Sequence, residues 1–361
     1  GNRTARIIGN LLNRRGEQLT AATSPSRLLE RRRSFASGGL RQGLAVAGSG
    51  DNDNGRVRYR SSLRRLGVGD DGADAYQDYD TGPNGLSPKL GWDVWVSGDL
   101  SYYRAKGHLT ENQGHFGVFK IGADYLINPR FLVGIVAQYD RIKEETNADG
   151  YKVEGKGWLA GPYVEYALSE NVIVDATALW GTSRNDISPF LTYTDTFKTS
   201  RWLAAARITG TWDLMTGQAN GVLRFEPSAQ LIYFDETSKS YTDSTGLRIG
   251  SQGVRLGRLK FGPALSYSYQ TPSGVQIRPR IAAQGLWNFS RRQSGTQTGE
   301  TADVGEVPLE RLQLRVEGGL TVELPGQGIS VDLSGNYVGL GTPDNRSGGG
   351  SVRVRIPLQQ P

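Results

Sequence analysis

The strongest constraint on this chain is a period-two alternation of apolar and polar residues carried over runs too long for ordinary strands. In residues 201–213, Trp202, Ala204, Ala206, Ile208, Gly210 and Trp212 share one face, while Arg201, Arg207, Thr209, Thr211 and Asp213 share the other. That is the signature of a strand with one apolar and one polar face. Ten steps separate Trp202 from Trp212. At ~3.3 Å per residue and a tilt of ~40°, the two rings stand roughly 25 Å apart along a barrel axis, the height of an outer-membrane apolar band. The pattern recurs near 91–105, 114–127, 131–143, 154–168, 171–185, 197–213, 221–236, 254–271, 274–290, 309–324, 328–341 and 347–358. Strands in soluble sheets run nearer ~5–6 residues, so a soluble sandwich fits poorly. Tight turns such as Asn128-Pro129-Arg130, Ser169-Glu170-Asn171, Thr271-Pro272-Ser273-Gly274 and Pro325-Gly326-Gln327-Gly328 alternate with longer polar connections, notably 237–253 and 291–308. Twelve strands close antiparallel, which predicts an all-β fold: a 12-stranded antiparallel transmembrane β-barrel spanning 91–358.

The polar face then defines a lumen. Lys120, Asp124, Glu165, Asp175, Arg201, Arg207, Arg224 and Glu226 sit out of phase with the apolar positions. So do Arg258, Lys260, Arg278, Arg280, Arg311, Arg315, Glu317, Asp332, Arg353 and Arg355. An Arg or Lys on the lipid side at mid-depth costs roughly 2–4 kcal/mol, so these residues are expected to line the pore. Trp92, Trp158, Trp180, Trp202, Trp212 and Trp287 are expected to form the aromatic girdles. Composition agrees. A mean hydropathy of -0.45 and the lack of an apolar run near ~18 residues exclude membrane helices, while alternation keeps a barrel's average hydropathy low.

Ahead of the strands lie two other regions. In 1–33, the pairs Ile7/Leu11 and Ile8/Leu12 make a narrow apolar stripe at helical spacing, flanked by Arg3, Arg6, Asn13, Arg14, Arg15 and Glu17. Pro25 ends that helix and can open a second short one through Arg33. Such a helix fits a polar channel, with Arg6, Leu11, Asn13, Arg14, Arg15 and Glu17 as its candidate pore residues; a solvated surface helix is the alternative. Residues 34–90, rich in Gly, Asp, Arg and Ser, show neither period and read as a flexible linker. No secretory leader is visible at Gly1, so the chain reads as a piece of a longer exported protein.

Chemistry is sparse. With no Cys there are no disulfides, thiolate metal sites or Cys nucleophiles. His108 and His115 are the two histidines, both around the first long connection, and read as hydrated loop residues. Gly98-Asp99-Leu100-Ser101 lacks the Ser that a lipase-like box needs after its Asp, and Asp51-Asn52-Asp53-Asn54-Gly55 lacks the closing Glu of a calcium loop. No enzyme activity, cofactor or metal is expected. The net charge of +6 comes from Arg residues dispersed along strands, which argues against a nucleic-acid partner.

The stretch Trp92-Asp93-Val94-Trp95-Val96-Ser97-Gly98 followed by Leu100-Ser101-Tyr102-Tyr103 resembles the first strand of the autotransporter β-domain family. Lys120-Ile121-Gly122-Ala123-Asp124-Tyr125, Gly161-Pro162-Tyr163-Val164 and Arg224-Phe225-Glu226-Pro227 resemble its later strands, over about 91–340, and the helix and Gly-rich spacer fit alphaproteobacterial-type members. The resemblance implies an outer-membrane translocator of type V secretion that exports an N-terminal passenger to the cell surface, its helical linker threaded through the pore. The implied partners are outer-membrane lipid, the passenger, the barrel-assembly machinery and periplasmic chaperones, and the implied state is a monomer. Two features depart from the family. The chain ends in Ile356-Pro357-Leu358-Gln359-Gln360-Pro361 rather than in an aromatic residue. Some relatives release the passenger by Asn side-chain attack; Asn10 is the corresponding candidate, without their Asn-Asn dipeptide. The alternatives are a diffusion pore or specific channel, and an outer-membrane hydrolase with its site on the long loops.

Overall fold

The computed structural model describes residues 2–21, 92–106, 111–146, 150–216, 221–297, 300–303, 311–324, 329–340 and 345–357. The expected second helix and the 34–90 linker therefore lie outside the described residues, as does His108. One helix, α1 (Asn2–Ala21), precedes the strands. These are β1 (Trp92–Lys106), β2 (Glu111–Asn128), β3 (Phe131–Thr146), β4 (Tyr151–Ala167), β5 (Val172–Ser188), β6 (Asp195–Gly210), β7 (Trp212–Thr216), β8 (Gly221–Phe225) and β9 (Ser228–Ser238). They continue with β10 (Tyr241–Thr242), β11 (Arg248–Ile249), β12 (Gln252–Gly262), β13 (Ala264–Gln270), β14 (Gln276–Gln297), β15 (Glu300–Asp303), β16 (Leu312–Glu323), β17 (Ser330–Leu340) and β18 (Asn345–Pro357).

Antiparallel pairing runs β1-β2-β3-β4-β5-β6-β9-β12-β14-β16-β17-β18, and β18 returns to β1. The result is a closed barrel of 12 strand positions, the architecture read from the alternation. β7, β8 and β13 are the continuations of β6, β9 and β12, so three of the expected strands are each broken in two. The breaks fall at Thr211, Glu226-Pro227 and Pro263. Each Pro lacks the N–H that a ladder needs. The gaps lie side by side and repair one another: Gly210 N–H donates to Pro227 O at 2.9 Å, and Glu226 and Ala264 exchange bonds of 2.8 and 3.0 Å.

The tight turns at 128–130, 169–171 and 271–274 gather at one end, here the turn end, while 325–328 lies outside the described residues. Thr271–Val275 is an example: Gly274 N–H donates to Thr271 O at 2.8 Å, and Gly274 takes a φ of +83° that suits glycine. At the opposite loop end β2 to β6 overrun their expected limits. On the outer face, the six expected girdle residues Trp92, Trp158, Trp180, Trp202, Trp212 and Trp287 are all exposed, whereas Trp95, one strand position out of phase with Trp92, is buried inside. Just beyond Tyr139, Trp158, Trp180 and Trp202, outward residues turn charged: Arg141, Lys156, Arg184 and Lys198. Arg141 there pairs with Glu154. The barrel thus carries an apolar band between aromatic rings and a charged collar past it. The connection from β9 to β12 folds over the mouth of the barrel, with Tyr241 stacked on the inward-facing Phe197 at 6.0 Å and Ile249 buried.

Two outcomes follow. Ile135, 65% exposed in the middle of the apolar band, should tolerate no charge: Ile135→Arg is expected to cost about 2–4 kcal/mol in equilibrium unfolding from lipid vesicles, and a cost near zero would contradict the orientation. In the β9–β12 connection, Asp243 is buried, which by itself raises a carboxyl pKa. Bonds from Thr245 Oγ1 (2.6 Å), Leu247 N–H (2.8 Å) and Thr245 N–H (3.0 Å) outweigh this and hold it below 3.8. A lowered folded pKa stabilises the loop above that value, and the contribution is lost as pH falls through the folded pKa. The protection of the Leu247 amide relative to its intrinsic exchange rate should therefore stay high at pH 5 and fall in stronger acid, and Asp243→Asn should remove the pH dependence of that protection.

Candidate functional site: the lumen and its helix

α1 lies inside the barrel at the loop end. Arg3 sits over the Phe190 ring at 4.6 Å, and Phe190 belongs to the β5–β6 connection, so the N-terminal turn is at the mouth. One stripe, Ile8, Leu12, Gly16 and Leu19, has the spacing of a single helical face. Gly16 meets the wall of β9 and β12, where an added Cβ would stand 2.9 Å from Phe234 Cδ1. Ile8, Leu11 and Leu12 are fully enclosed with Phe234, Val254 and Leu256 in one apolar cluster. The inward face is therefore not purely polar. Phe197, Leu203, Ile232, Phe234 and Leu256 share a parity with Arg201, Glu236 and Arg258, and form an apolar layer that grips the helix.

Charge fixes what the apolar layer only holds. Arg15 is completely buried. Its Nη1 donates to Glu236 Oε1 at 2.7 Å and to Ser183 Oγ at 2.9 Å, its Nη2 to Asn185 Oδ1 at 2.5 Å, and its Nε lies 3.4 Å from Asp140 Oδ1. Arg201 forks onto the same Asp140. Arg14 pairs with Glu144 at 3.0 Å, and Glu144 is itself held by the hydroxyls of Tyr103 (3.0 Å) and Tyr151 (2.6 Å). Lower down, Arg258 Nη1 donates to Thr20 Oγ1 at 2.9 Å and to the Glu17 carbonyl at 3.2 Å, tying the last described turn of the helix to β12. Ser101 donates to Gln18 Oε1 at 2.8 Å. Buried guanidinium groups are tolerable because each finds carboxylate or carbonyl acceptors.

Depth along the strands is readable from the girdle. Asp140 follows Tyr139, Arg201 precedes Trp202, and Ser183 lies three residues past Trp180 toward the loop end. Arg15 therefore sits at or above the outer aromatic ring, and the six residues to Ala21 reach only about 9 Å further in. The described helix occupies the loop-end half of the lumen rather than the full apolar band, because the strands extend past the band and the cage sits in that extension.

The structure places the named lumen residues as follows. Lys120, Asp124, Glu165, Arg201, Glu226, Arg258, Lys260, Arg278, Arg315, Arg353 and Arg355 are buried inside the barrel. Asp175 and Arg207 join at 2.7 Å, Arg224 reaches Asp213 at 2.6 Å, Arg280 reaches Glu317 at 2.8 Å, and Asp332 accepts from Thr321. Arg311 departs from the expected set: it is exposed on the bend before β16, since that strand begins only at Leu312. On α1, Arg6 is exposed, Leu11, Asn13 and Arg15 are buried, and Arg14 and Glu17 are intermediate; Asn10 is half-buried. His115 is exposed on the outer face against Tyr102, their rings 5.1 Å apart. Sequence reasoning missed Asp140, Glu144 and Glu236. Asp140 and Glu236 alternate in phase with Gln138 and Phe234, so parity counted along all of β3 and β9 would have found them.

A bulky residue at Gly16 cannot fit against Phe234. Gly16→Leu is expected to expose α1 to protease in an otherwise folded barrel, read by mass of the fragments; an α1 as resistant as the parent's would contradict the packing.

Comparison with known proteins agrees with this geometry. Residues 94–336, more than half of the chain, match the Autotransporter beta-domain family. The chain is similar to the transport unit of the autotransporter AIDA-I from Escherichia coli, with 13% identity and a TM-score of 0.60 over 90% of this chain and 99% of that one. It is also similar to the beta domain of the Bordetella autotransporter Brka, with 16% identity and a TM-score of 0.55 over 74% of this chain and 99% of that one. The translocator domain of NalP from Neisseria meningitidis gives 12% identity and a TM-score of 0.50 over 90% and 98%. No individual curated protein matches by sequence. The closed barrel, its lipid-facing band and the family match together identify the chain as an outer-membrane translocator domain of type V secretion and a member of the autotransporter β-domain family.

Proposed function

We propose that α1 is the part of the passenger linker that enters the pore, retained in the lumen after export so that the barrel both anchors the passenger and is closed by its own chain. The observation that carries this is the burial of Arg15 in a cage built from β3, β5 and β9. A helix resting by chance in a wide pore would not have one guanidinium satisfied by acceptors from three separate strands. In this reading the loop end faces the cell exterior and the turn end the periplasm, with the passenger attached ahead of α1. The barrel acts as a monomer, since β1 pairs with β18 and leaves no open sheet edge. Barrel-assembly machinery and periplasmic chaperones are its partners on the way to the membrane. The domain itself is non-catalytic, consistent with two His and no Cys in the chain.

A second reading, a channel, has one observation behind it. Beside α1 lies a crevice of about 30 Å³, lined among others by Glu17, Gln18, Arg258, Gln313 and Arg346. It is narrow relative to a helix of ~10–12 Å diameter, so it supports residual leakage more than a working pore. Single-channel recording of the full chain and of a variant lacking residues 2–21 separates the two. A severalfold rise in conductance on deletion is expected; unchanged conductance would favour an independent pore.

A further inference from the structure

The acceptors around Arg15 are held in place by the barrel rather than by the helix. Thr199 Oγ1 and Ser183 Oγ donate to Glu236 Oε1 at 2.7 and 2.9 Å, and Asn185 Nδ2 donates to Ser183 Oγ at 2.8 Å. Arg201 forks onto Asp140 from the neighbouring wall. The floor is bare backbone: a Cβ on Gly155 would overlap the Arg15 guanidinium, and one on Gly157 would overlap that of Arg201. Without Arg15, the cage holds Asp140 and Glu236 against the single cation Arg201, one positive charge short. Its acceptors are spread over three strands around a flat space. That shape matches a planar fork of N–H donors and not a compact, strongly hydrated ammonium. The contrast with Arg14 is instructive. Arg14 is 15% exposed and meets one carboxylate and the Tyr103 ring, a setting an ammonium can also fill.

We propose that the lumen contains a built receptor for a monosubstituted guanidinium, that Arg15 fills it in the closed state, and that this occupancy fixes the depth at which α1 comes to rest. The proposal rests on the reading of α1 as the pore's closure, and deepens it by naming the group that is recognised. Arg15 is a positioning residue in this account: it sets where the helix stops.

The test is chemical rescue in the full chain, recorded in planar bilayers with ethylguanidinium and ethylammonium as probes. Arg15→Ala should conduct more, or open more often, than the parent. Ethylguanidinium should return it to the parent level, and ethylammonium should be at least about tenfold weaker. Arg15→Lys should behave like Arg15→Ala, whereas Arg14→Lys should behave like the parent. In Arg15→Ala combined with Gly155→Ala, the added methyl fills the floor, and ethylguanidinium should no longer act. The proposal is overturned if the two probes act equally, if Arg15→Lys matches the parent, or if the double variant is rescued as well. Where Arg15→Ala yields no folded barrel, refolding it with each probe gives the same decision: recovery with ethylguanidinium alone supports the receptor, and equal recovery rejects it. If deletion of residues 2–21 opens the pore but Arg15→Ala does not, the receptor fails while the closure stands. If neither opens it, the closure itself fails.

Discussion

Hydrocarbon offers a peptide backbone no hydrogen-bond partner, and the pairing of the first and last strands is what lets this sheet live in it. β1 meets β18 in unbroken register from Asp93 opposite Pro357 to Ala105 opposite Asn345. Everything else depends on that seam. Closure sends alternate residues inward, where they need one another, and outward, where they need lipid. It also explains why breaks at Thr211, Pro227 and Pro263 are tolerated: they lie together, so the orphaned groups on one strand meet those on the next.

A closed barrel with charged walls creates a second problem, which α1 resolves in the loop-end half. Carboxylates at Asp140, Glu144 and Glu236 are buried, and the helix delivers Arg14 and Arg15 to them. The helix in turn needs the barrel, since Ile8, Leu11 and Leu12 share one apolar cluster with Phe234, Val254 and Leu256 of its wall. The result is mutual: apolar layers supply adhesion without direction, and ion pairs supply depth and rotation. At the turn end the barrel satisfies itself instead. Trp95 Nε1 donates to Tyr163 Oη at 2.9 Å, and Tyr163 donates to Asp124 at 2.7 Å.

Much of this was legible in the sequence because β-strand geometry has a period of two. The opposition of Trp202 to Arg201 and Arg207 identifies both faces of β6, and the same alternation places Lys120 and Asp124 inside β2. What escaped was of two kinds. Local ladder breaks at Glu226-Pro227 and Pro263 do not interrupt the alternation, so β8–β9 and β12–β13 read as continuous. Partnerships such as Arg15 with Glu236 join residues 221 positions apart, and no local pattern encodes them. Arg311 shows the limit of parity itself: it has the right phase for the lumen but lies past the end of its strand.

The central claim is that α1 rests inside the barrel against β9, and the absence of Cys from the whole chain makes it directly testable. Cysteines placed at Gly16 and Phe234, in chain otherwise unchanged and assembled in intact outer membranes, can be joined by mild oxidation or a short bifunctional reagent. The account predicts efficient cross-linking of 16 to 234, with none between 16 and a cysteine at Gly134 near the turn end. Absence of the first product, or equal yield of both, would contradict it.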